Sequence, residues 1–192
     1  MRAPAIGGKI TGSWAAIHRR GWIGLPSRSA IHRDWGMNEL RITSEREHID
    51  IGFVHRFLSE HSTWAQGIPL ALVEKSIAHS LCFGGFLGDR QVAFARVVSD
   101  YATFANLVDV FVLPECRGRG FSKQMMEAVL AHPQLQGLRR FTLATGDAHG
   151  LYARYGFTAP RYPQTFMERY VPDIYAPGAN AGVGAGLETA TP

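Results

Sequence analysis

The sequence predicts an α+β domain with a mixed central sheet and flanking helices. Apolar runs of strand length and apolar stripes at helical spacing follow one another in the order β-α-α-β-β-β-α-β-α-β. Two of the runs, 82–87 and 91–98, flank Gly88-Asp89, a dipeptide typical of the turn in a β-hairpin. We therefore expect one core that strands and helices share.

The first half of this domain is predicted to hold a strand, two helices and the hairpin. Residues 38–43 alternate between polar and apolar side chains, as a first strand does. Ser44 and Glu47 form an S-x-x-E capping box ahead of apolar residues at helical spacing, and Pro69 suits the first position of a second helix. The apolar stripe of the second helix is Leu70, Val73, Ile77 and Leu81.

The second half alternates strands with helices. A turn at 100–103 leads into a strand over 104–113, and a helix is predicted over 121–131, where Pro133 stops it. A short buried strand over 141–145 follows. Asp147 is expected to cap a short helix that ends at Gly156, a residue suited to the left-handed position after a helix, and a last strand completes the order.

Size and composition place the chain among globular proteins. The 192 residues suit one ordinary domain, and 46% hydrophobic against 19% charged residues excludes disorder throughout. No apolar run reaches the roughly 18 residues of a membrane span, so no membrane association is expected. Cys82 and Cys116 are the only cysteines and form no CxxC motif, which argues against a disulfide scaffold or a cysteine zinc site. We expect a cytoplasmic protein without a metal.

The net charge of +4 belongs to one end of the chain. Residues 1–36 hold six basic side chains against Asp34 alone, whereas residues 37–192 hold 14 Lys and Arg against 15 Asp and Glu. The larger part therefore carries a formal charge of −1. This distribution argues against a basic nucleic-acid footprint on the domain, so no nucleic-acid partner is expected.

Both ends of the chain are predicted to lie outside the folded domain. The basic leader 1–36 has many glycines and no sustained periodicity, and three interpretations stay open: a translated upstream stretch with Met37 as the true start, an Arg-rich targeting peptide, or a basic arm that touches a polyanion. Residues 176–192 are rich in Ala and Gly and are expected to form a flexible tail. The working domain is 37–175.

The stretch that carries chemistry is 110–122. A strand runs into a glycine-containing turn that opens a helix, which would gather unpaired backbone N–H groups at the positive end of a helix dipole. Gly118 and Gly120 would let a phosphate approach the main chain, with Arg117 and Arg119 nearby, so a pyrophosphate is the natural ligand. Taken alone, however, the same residues favour a tight turn with two solvated arginines.

Two motifs in this chain resemble the hallmarks of the GNAT acetyltransferase superfamily. Arg117-x-x-Gly120-x-Ser122 is similar to its acetyl-CoA signature R/Q-x-x-G-x-G/A, and Leu151-Tyr152-Ala153-Arg154-Tyr155-Gly156-Phe157 is similar to its LYxxxGF motif. The resemblance covers about residues 39–170. It departs from the pattern at Ser122, where the family has Gly or Ala, and at Thr145, where many members have Asn.

The resemblance implies an acyl-CoA N-acyltransferase fold with a splayed strand pair and acetyl-CoA as co-substrate. Main-chain groups of Val110 and Val112 would pair with the pantetheine amides, and an amide near Val110 would polarise the thioester carbonyl. The strand 141–145 would form the other lip of the split. The implied cofactor-binding residues are Val110, Val112, Arg117, Gly118, Arg119, Gly120, Phe121 and Ser122.

Two residues are candidates for proton transfer. The resemblance assigns Tyr152 as the general acid for the departing thiolate, because a phenol is protonated at neutral pH; a packed helix tyrosine is the alternative. Asp109 lies on the key strand and, in plain alternation, shares a face with Leu107 and Phe111. A carboxylate among apolar neighbours has its pKa raised, which suits a general base, and a structural hydrogen bond is the alternative.

The acceptor is expected to be a small-molecule or protein amine, bound between the first two helices and the 100–104 turn. Trp64, Tyr101 and Phe104 are candidates to line that site. A homodimer is left open. The competing function is a catalytically weak module that binds or senses acyl-CoA without turnover.

Overall fold

The computed structural model describes residues 39–176. The predicted leader 1–36 and residues 177–192 of the predicted tail lie outside the described residues. The described strands and helices are β1 (Arg41–Thr43), α1 (Ile51–Arg56), α2 (Leu70–Ala78), β2 (Leu81–Leu87), β3 (Arg90–Ser99), β4 (Phe104–Val112), α3 (Phe121–Ala131), β5 (Arg140–Leu143) and α4 (His149–Ala153). In this part of the chain, no helix is long and apolar enough to cross a membrane.

The strands form one five-stranded sheet in the order β1-β2-β3-β4-β5. β1 to β4 are antiparallel neighbours, whereas β5 lies parallel to β4 because α3 carries the chain across between them. The predicted mixed sheet is therefore confirmed. The predicted hairpin is also confirmed, and Gly88 takes a φ of +56° in its turn, a conformation that glycine adopts without steric cost.

The strand predicted after Gly156 is absent from the described residues. The chain there forms only the short 3₁₀ turn Pro163–Thr165. Pro160 and Pro163 have no N–H groups to donate, so this stretch cannot form a continuous ladder along β5. Within residues 39–176, β5 is therefore the last strand of the sheet.

The sheet separates two apolar clusters. On one face, α3 packs Met125, Met126 and Val129 against strand residues such as Leu107 and Val112. On the other face, the side chains that pack against Phe94 and Phe111 come from α1, its π-helical continuation Phe57–His61 and α2. Phe57 stacks on Phe111 with ring centroids 3.7 Å apart. Because β4 contributes side chains to both clusters, its backbone is held from both faces.

The helix starts differ from the predicted ones. Asp50, and not the Ser44–Glu47 box, caps α1: its Oδ1 accepts a 2.8 Å hydrogen bond from Phe53 N–H. The Asp50 N–H donates to Gln91 Oε1 at 2.9 Å, so a side chain from β3 takes the role that a capping-box Glu would have. The capping-box prediction is therefore wrong. A local sequence pattern could not show the true arrangement, because Gln91 is 41 residues from Asp50 in the sequence.

Two further helix starts are shifted. Pro69 is the N-cap of α2 and not its first residue. The helix therefore begins at Leu70, one residue later than predicted. Asp147 does not cap α4; instead Thr145 Oγ1 accepts from Ala148 N–H at 3.0 Å. Gly156 has the predicted left-handed conformation, with a φ of +82°. Thr145 therefore has a structural partner in its own turn.

Candidate active site

A gap opens between β4 and β5. The two strands pair only from Phe104 with Arg140 to Leu107 with Leu143, and β5 then ends. β4 continues alone on that side through residues 108–112. The described strands thus separate at the place where the sequence predicts a splayed pair.

The main chain of Val112 faces this gap. The N–H of Leu113 donates to Val92 O at 2.9 Å and so points toward β3. Successive N–H groups of an extended strand point to opposite sides, so the N–H of Val112 points away from β3 into the gap. The Val112 carbonyl accepts a 3.1 Å hydrogen bond from Arg117 Nε. The Val112 N–H is therefore directed to the side on which the family resemblance implies a bound pantetheine arm.

A β-bulge lies beside these residues. Phe94 pairs with Phe111 and Arg96 pairs with Val108, so two residues of β4, Asp109 and Val110, oppose one residue of β3. Asp109 takes a φ of +53°, which is uncommon for a residue with a side chain. The extra residue of the bulge shifts the side-chain alternation of β4. Residues on the two sides of the bulge therefore face differently from what plain alternation predicts.

Because of the bulge, the surroundings of Asp109 differ from the predicted ones. Leu107 and Phe111 lie in different apolar clusters on opposite faces of the sheet, so Asp109 does not sit between them on one face. Its neighbours are polar donors. Arg96 Nε donates to Asp109 Oδ2 at 2.8 Å, and Trp64 Nε1 donates to Asp109 Oδ1 at 3.2 Å.

Arg96 belongs to this site although no motif in the sequence marks it. Its side chain is 16% exposed and that of Asp109 is 12% exposed, and Arg96 Nη1 also donates to Ser80 Oγ at 3.0 Å. The one available signal is that Arg96 is the sole charged residue in the run 91–98. An ionised side chain in a buried strand implies a partner of opposite charge, and Asp109 is that partner.

The turn before α3 has the geometry of an anion site. Gly118 and Gly120 have φ values of +76° and +81°, and Gly120 is the N-cap of α3 without any side-chain cap. The N–H groups of Lys123 and Gln124 both bond to Gly120 O, so those of Phe121 and Ser122 have no acceptor within the helix. A Cβ at either glycine would meet open space, so it is the backbone conformation that requires glycine here.

The arginines of this turn differ in their surroundings. Arg117 is exposed and is tied to the end of β4 through Val112. The Arg119 guanidinium lies 4.6 Å from the centre of the Phe121 ring. The Phe121 side chain is buried in the core, so this residue can offer a ligand only its N–H group.

Tyr152 lies on α4 with its ring in the core, where it is 8% exposed. The ring meets Phe157 in a T-shaped contact with centroids 6.1 Å apart. Burial raises the pKa of the phenol, and the negative charge of Asp147 raises it further. The hydroxyl is therefore protonated throughout the neutral range, the state that a general acid requires.

The predicted acceptor residues are only partly brought together. Trp64 is half exposed and reaches Asp109, whereas Tyr101 and Phe104 are exposed at the β3–β4 turn. Asp100 stabilises that turn, because its carboxylate accepts hydrogen bonds from the Thr103 hydroxyl and from backbone N–H groups, including that of Phe104. These hydrogen bonds hold the pKa of the Asp100 carboxyl well below its usual value. The carboxylate of Asp100 is thus occupied within its own turn.

Comparison with known proteins gives matches over most of the described residues. A model of the acetyltransferase (GNAT) domain family matches residues 78–159. A crystal structure from Xanthomonas campestris pv. campestris, of a protein classed as a GNAT-family acetyltransferase, is 66% identical, covers 73% of this chain and 99% of that chain, and superposes with a TM-score of 0.71.

Two more distant relatives are also classed as acetyltransferases. A Gibberella zeae protein classed as an acetyltransferase is 24% identical over 144 residues, which are 64% of this chain and 80% of that protein. A GNAT family acetyltransferase structure from Streptococcus pneumoniae TIGR4 is 19% identical, covers 69% of this chain and 96% of that chain, and has a TM-score of 0.54. The latter likeness shows the fold alone.

Proposed function

The chain belongs to the GNAT acetyltransferase family, and on that premise we propose that it transfers the acetyl group of acetyl-CoA to an amine by direct attack. The observation that carries this proposal is that three features follow one another along the chain. The part of β4 beyond its pairing with β5, the glycine turn and the start of α3 follow one another within 108–122. An extended ligand with amides at one end and a pyrophosphate at the other fits such a track.

The binding role of each part follows from its exposed groups. Val110 and Val112 would pair with the pantetheine amides as an added strand does. The N–H groups of Phe121 and Ser122, the close approach allowed at Gly118 and Gly120, and the charges of Arg117 and Arg119 would hold the diphosphate.

The transfer itself consists of two bond changes. The amine nitrogen attacks the carbonyl carbon of the thioester, and the N–H of Val110 stabilises the charge that develops on the oxygen. The carbon–sulfur bond then breaks, and the Tyr152 hydroxyl gives its proton to the departing thiolate. The nitrogen loses a proton to a base, for which Asp109 is the candidate, and solvent restores the proton of Tyr152.

The hydrogen bonds of Asp109 fit two roles, a general base and an anchor of the bulge. Both of its oxygens accept hydrogen bonds, from Arg96 and Trp64, and the residue directly precedes Val110. As a base, the carboxylate would receive the proton of an amine that reaches the gap from the Trp64 side. As an anchor, it would fix the bulge that aims Val110. Replacing the carboxylate by an amide separates these two roles.

The alternative function is a module that binds acyl-CoA without turnover. Thr145 favours it, because its hydroxyl caps the turn before α4 and is engaged there by Ala148. Tyr152 favours the enzyme, because its hydroxyl makes no hydrogen bond to another group within residues 39–176 and so can donate to a ligand.

Titration calorimetry with acetyl-CoA, followed by a free-thiol release assay against a panel of primary amines, tests the proposal. We expect saturable binding and amine-dependent thiol release, with an acetylated amine found by mass spectrometry in equal amount. Binding without amine-dependent release would favour the binding module. Absence of binding would overturn both functions.

A further inference from the structure

Trp64 borders the proposed base and remains open to solvent. It is 53% exposed, although its indole N–H donates to Asp109 Oδ1 at 3.2 Å. Because that N–H already has a protein acceptor, the exposed part of the ring offers a ligand its apolar and π surface. The π face of an indole attracts cations as well as apolar groups, so the charges around Trp64 decide which of the two it binds.

The loop that carries Trp64 is fixed by its neighbours. Ser62 Oγ donates to Leu58 O at 2.6 Å and accepts from Ala65 N–H at 3.1 Å, and the side chains of Ser62 and Ala65 are buried. The loop directly follows the π-helical stretch Phe57–His61, and such stretches are frequently found at functional sites. The exposure of the indole is therefore a property of the folded loop.

The sheet continues the open apolar surface on the same face. Phe94 belongs to the cluster under α1 and α2, and side chains two residues apart on a strand share a face, so Arg96 and Val98 lie on that face too. Val98 pairs with Asn106, and Phe104 lies two residues before Asn106. Val98 is 42% exposed and Phe104 is 40% exposed. Apolar surface therefore extends from the Arg96 ion pair toward the β3–β4 turn.

The charged groups on this surface already have partners. Arg96 and Asp109 pair with each other, and the carboxylate of Asp100 accepts hydrogen bonds within its own turn. The loop 62–69 contains no charged residue, and residues 90–112 contain no other Asp or Glu. At the same end of the sheet, β5 adds the positive charge of Arg140. A second ammonium group of an acceptor would therefore find no free carboxylate on these elements.

We propose that the preferred acceptor is a monoamine on an aromatic carbon skeleton, which lies against Trp64 and Val98 while its nitrogen meets Asp109. This substrate class rests on the acetyl transfer proposed above. Contact between an aromatic ring and the exposed indole removes apolar surface of both from water. A polyamine would instead lose hydration at its second ammonium without gaining a carboxylate, so the same surface selects against it.

Three primary amines test the substrate class in the thiol-release assay with acetyl-CoA. Hexylamine and cadaverine have nearly the same length, and cadaverine differs by ending in a second ammonium group, whereas phenethylamine carries an aromatic ring. We expect kcat/KM per amino group to fall from phenethylamine to hexylamine to cadaverine, with at least about tenfold between the first and the last. Mass spectrometry of the acetylated amine accompanies each rate.

Substitution of Trp64 tests where the aromatic ring binds. Trp64→Ala should lower kcat/KM for phenethylamine at least about fivefold more than for hexylamine, because the ring loses the surface on which it packs. The loss of the hydrogen bond to Asp109 acts on both amines and cancels in that ratio. Leu72→Ala, at an exposed apolar position of α2, is the matched control and should leave the ratio unchanged.

A carboxylate placed on the same surface should reverse the selectivity against a second charge. Val98→Glu should raise kcat/KM for cadaverine relative to hexylamine at least about fivefold, whereas the neutral Val98→Gln should not. Because Val98 is largely open to solvent, both variants should fold, and their melting temperatures check this.

Two results would overturn this substrate class while acetyl transfer stands. One is a wild type that uses cadaverine as well as hexylamine or better. The other is a ratio of phenethylamine to hexylamine that Trp64→Ala leaves unchanged. If none of these amines and none of the wider panel were acetylated, the proposed function would fail as well.

Discussion

Arg96 and Asp109 form an ion pair across the β-bulge of β4, with Arg96 Nε 2.8 Å from Asp109 Oδ2. Both side chains are largely buried, and Trp64 donates a further hydrogen bond to the other carboxylate oxygen. Residue 109 therefore joins the sheet, the loop before α2 and the backbone that bears Val110. A change there bears on both stability and chemistry, and suitable variants separate the two.

Asp109→Asn is expected to lower kcat about 10²-fold at neutral pH, with the Kd for acetyl-CoA within about twofold. The amide keeps an oxygen that accepts from Arg96 or Trp64 and tolerates the left-handed backbone, but it cannot take a proton from the amine. Thiol release and calorimetry on the same preparation give both values. A kcat within a few fold of the wild type would identify Asp109 as an anchor of the bulge only.

A double variant supplies the control. Asp109→Asn alone leaves a buried guanidinium without its counter-charge and should lower the melting temperature. Adding Arg96→Met removes that charge and should restore much of the stability without restoring kcat. If activity returned together with stability, the loss in the single variant would be structural.

The glycine turn is tested by a matched pair of substitutions. Gly120→Asp and Gly120→Asn have nearly the same shape, and both residues are among those that tolerate a positive φ, so their strain at +81° is similar. The aspartate places a negative charge where the diphosphate is proposed to bind. We expect Gly120→Asp to weaken acetyl-CoA binding at least about tenfold more than Gly120→Asn does. Equal affinities in calorimetry would contradict the diphosphate assignment.

The cap of α1 gives a test of stability alone. Asp50→Ala should lower the free energy of unfolding by about 1 kcal/mol, because Phe53 N–H loses its acceptor. Ser44→Ala should cost less, since the Ser44 hydroxyl makes only a 3.4 Å contact with His132. Urea titrations of both variants measure the difference. A larger loss at Ser44 would restore the capping box to the start of this helix.

The parts of the fold that depend on nearby residues could be predicted from the sequence. The helix over 121–131 begins and ends as predicted, because Gly120 and Pro133 punctuate the chain on either side of it. The hairpin is fixed by its Gly88-Asp89 turn in the same way. The splay of β4 and β5 follows the family resemblance, since no local pattern shows where a strand loses its partner.

The features that depend on distant partners could not be predicted. The bulge at Asp109 arises from pairing with β3, and it changes the face of every later residue of β4. The Arg96 partner of Asp109 and the Gln91 partner of Asp50 belong to the same distant strand. The catalytic and cofactor-binding roles of Tyr152, Asp109 and 117–122 stay predictions, which the variants described here test.

His132 should make stability depend on pH. Burial lowers the pKa of its imidazole below the usual value of about 6.5, and the ring packs edge-on to Phe83 with centroids 5.4 Å apart. The folded state therefore binds the proton less tightly than the unfolded state, so stability is complete above about pH 6.5 and falls as the pH drops toward the folded pKa.

His132→Asn keeps an acceptor for Gln134 N–H but does not titrate. The difference in melting temperature between wild type and variant should therefore change between pH 7 and about pH 5, with the wild type losing more. Differential scanning calorimetry across that range measures it. A constant difference would show that His132 contributes nothing to the acid sensitivity of the fold.

Tyr152→Phe probes the proposed chemistry at its centre. The substitution removes one hydroxyl and keeps the ring that packs against Phe157, so the fold should change little. Because the CoA thiol is a fair leaving group, we expect the low end of the range for general-acid catalysis, a fall in kcat of about 10². The loss should shrink with an activated thioester whose leaving thiolate needs no proton.

The most direct measurement is therefore the ratio of kcat for wild type and Tyr152→Phe with acetyl-CoA, taken beside the Kd for acetyl-CoA of both proteins. The proposed mechanism predicts a ratio of about 10² with Kd values within a few fold of each other. A variant with full activity would contradict it, because the proton on the departing thiolate would then come from a group other than Tyr152.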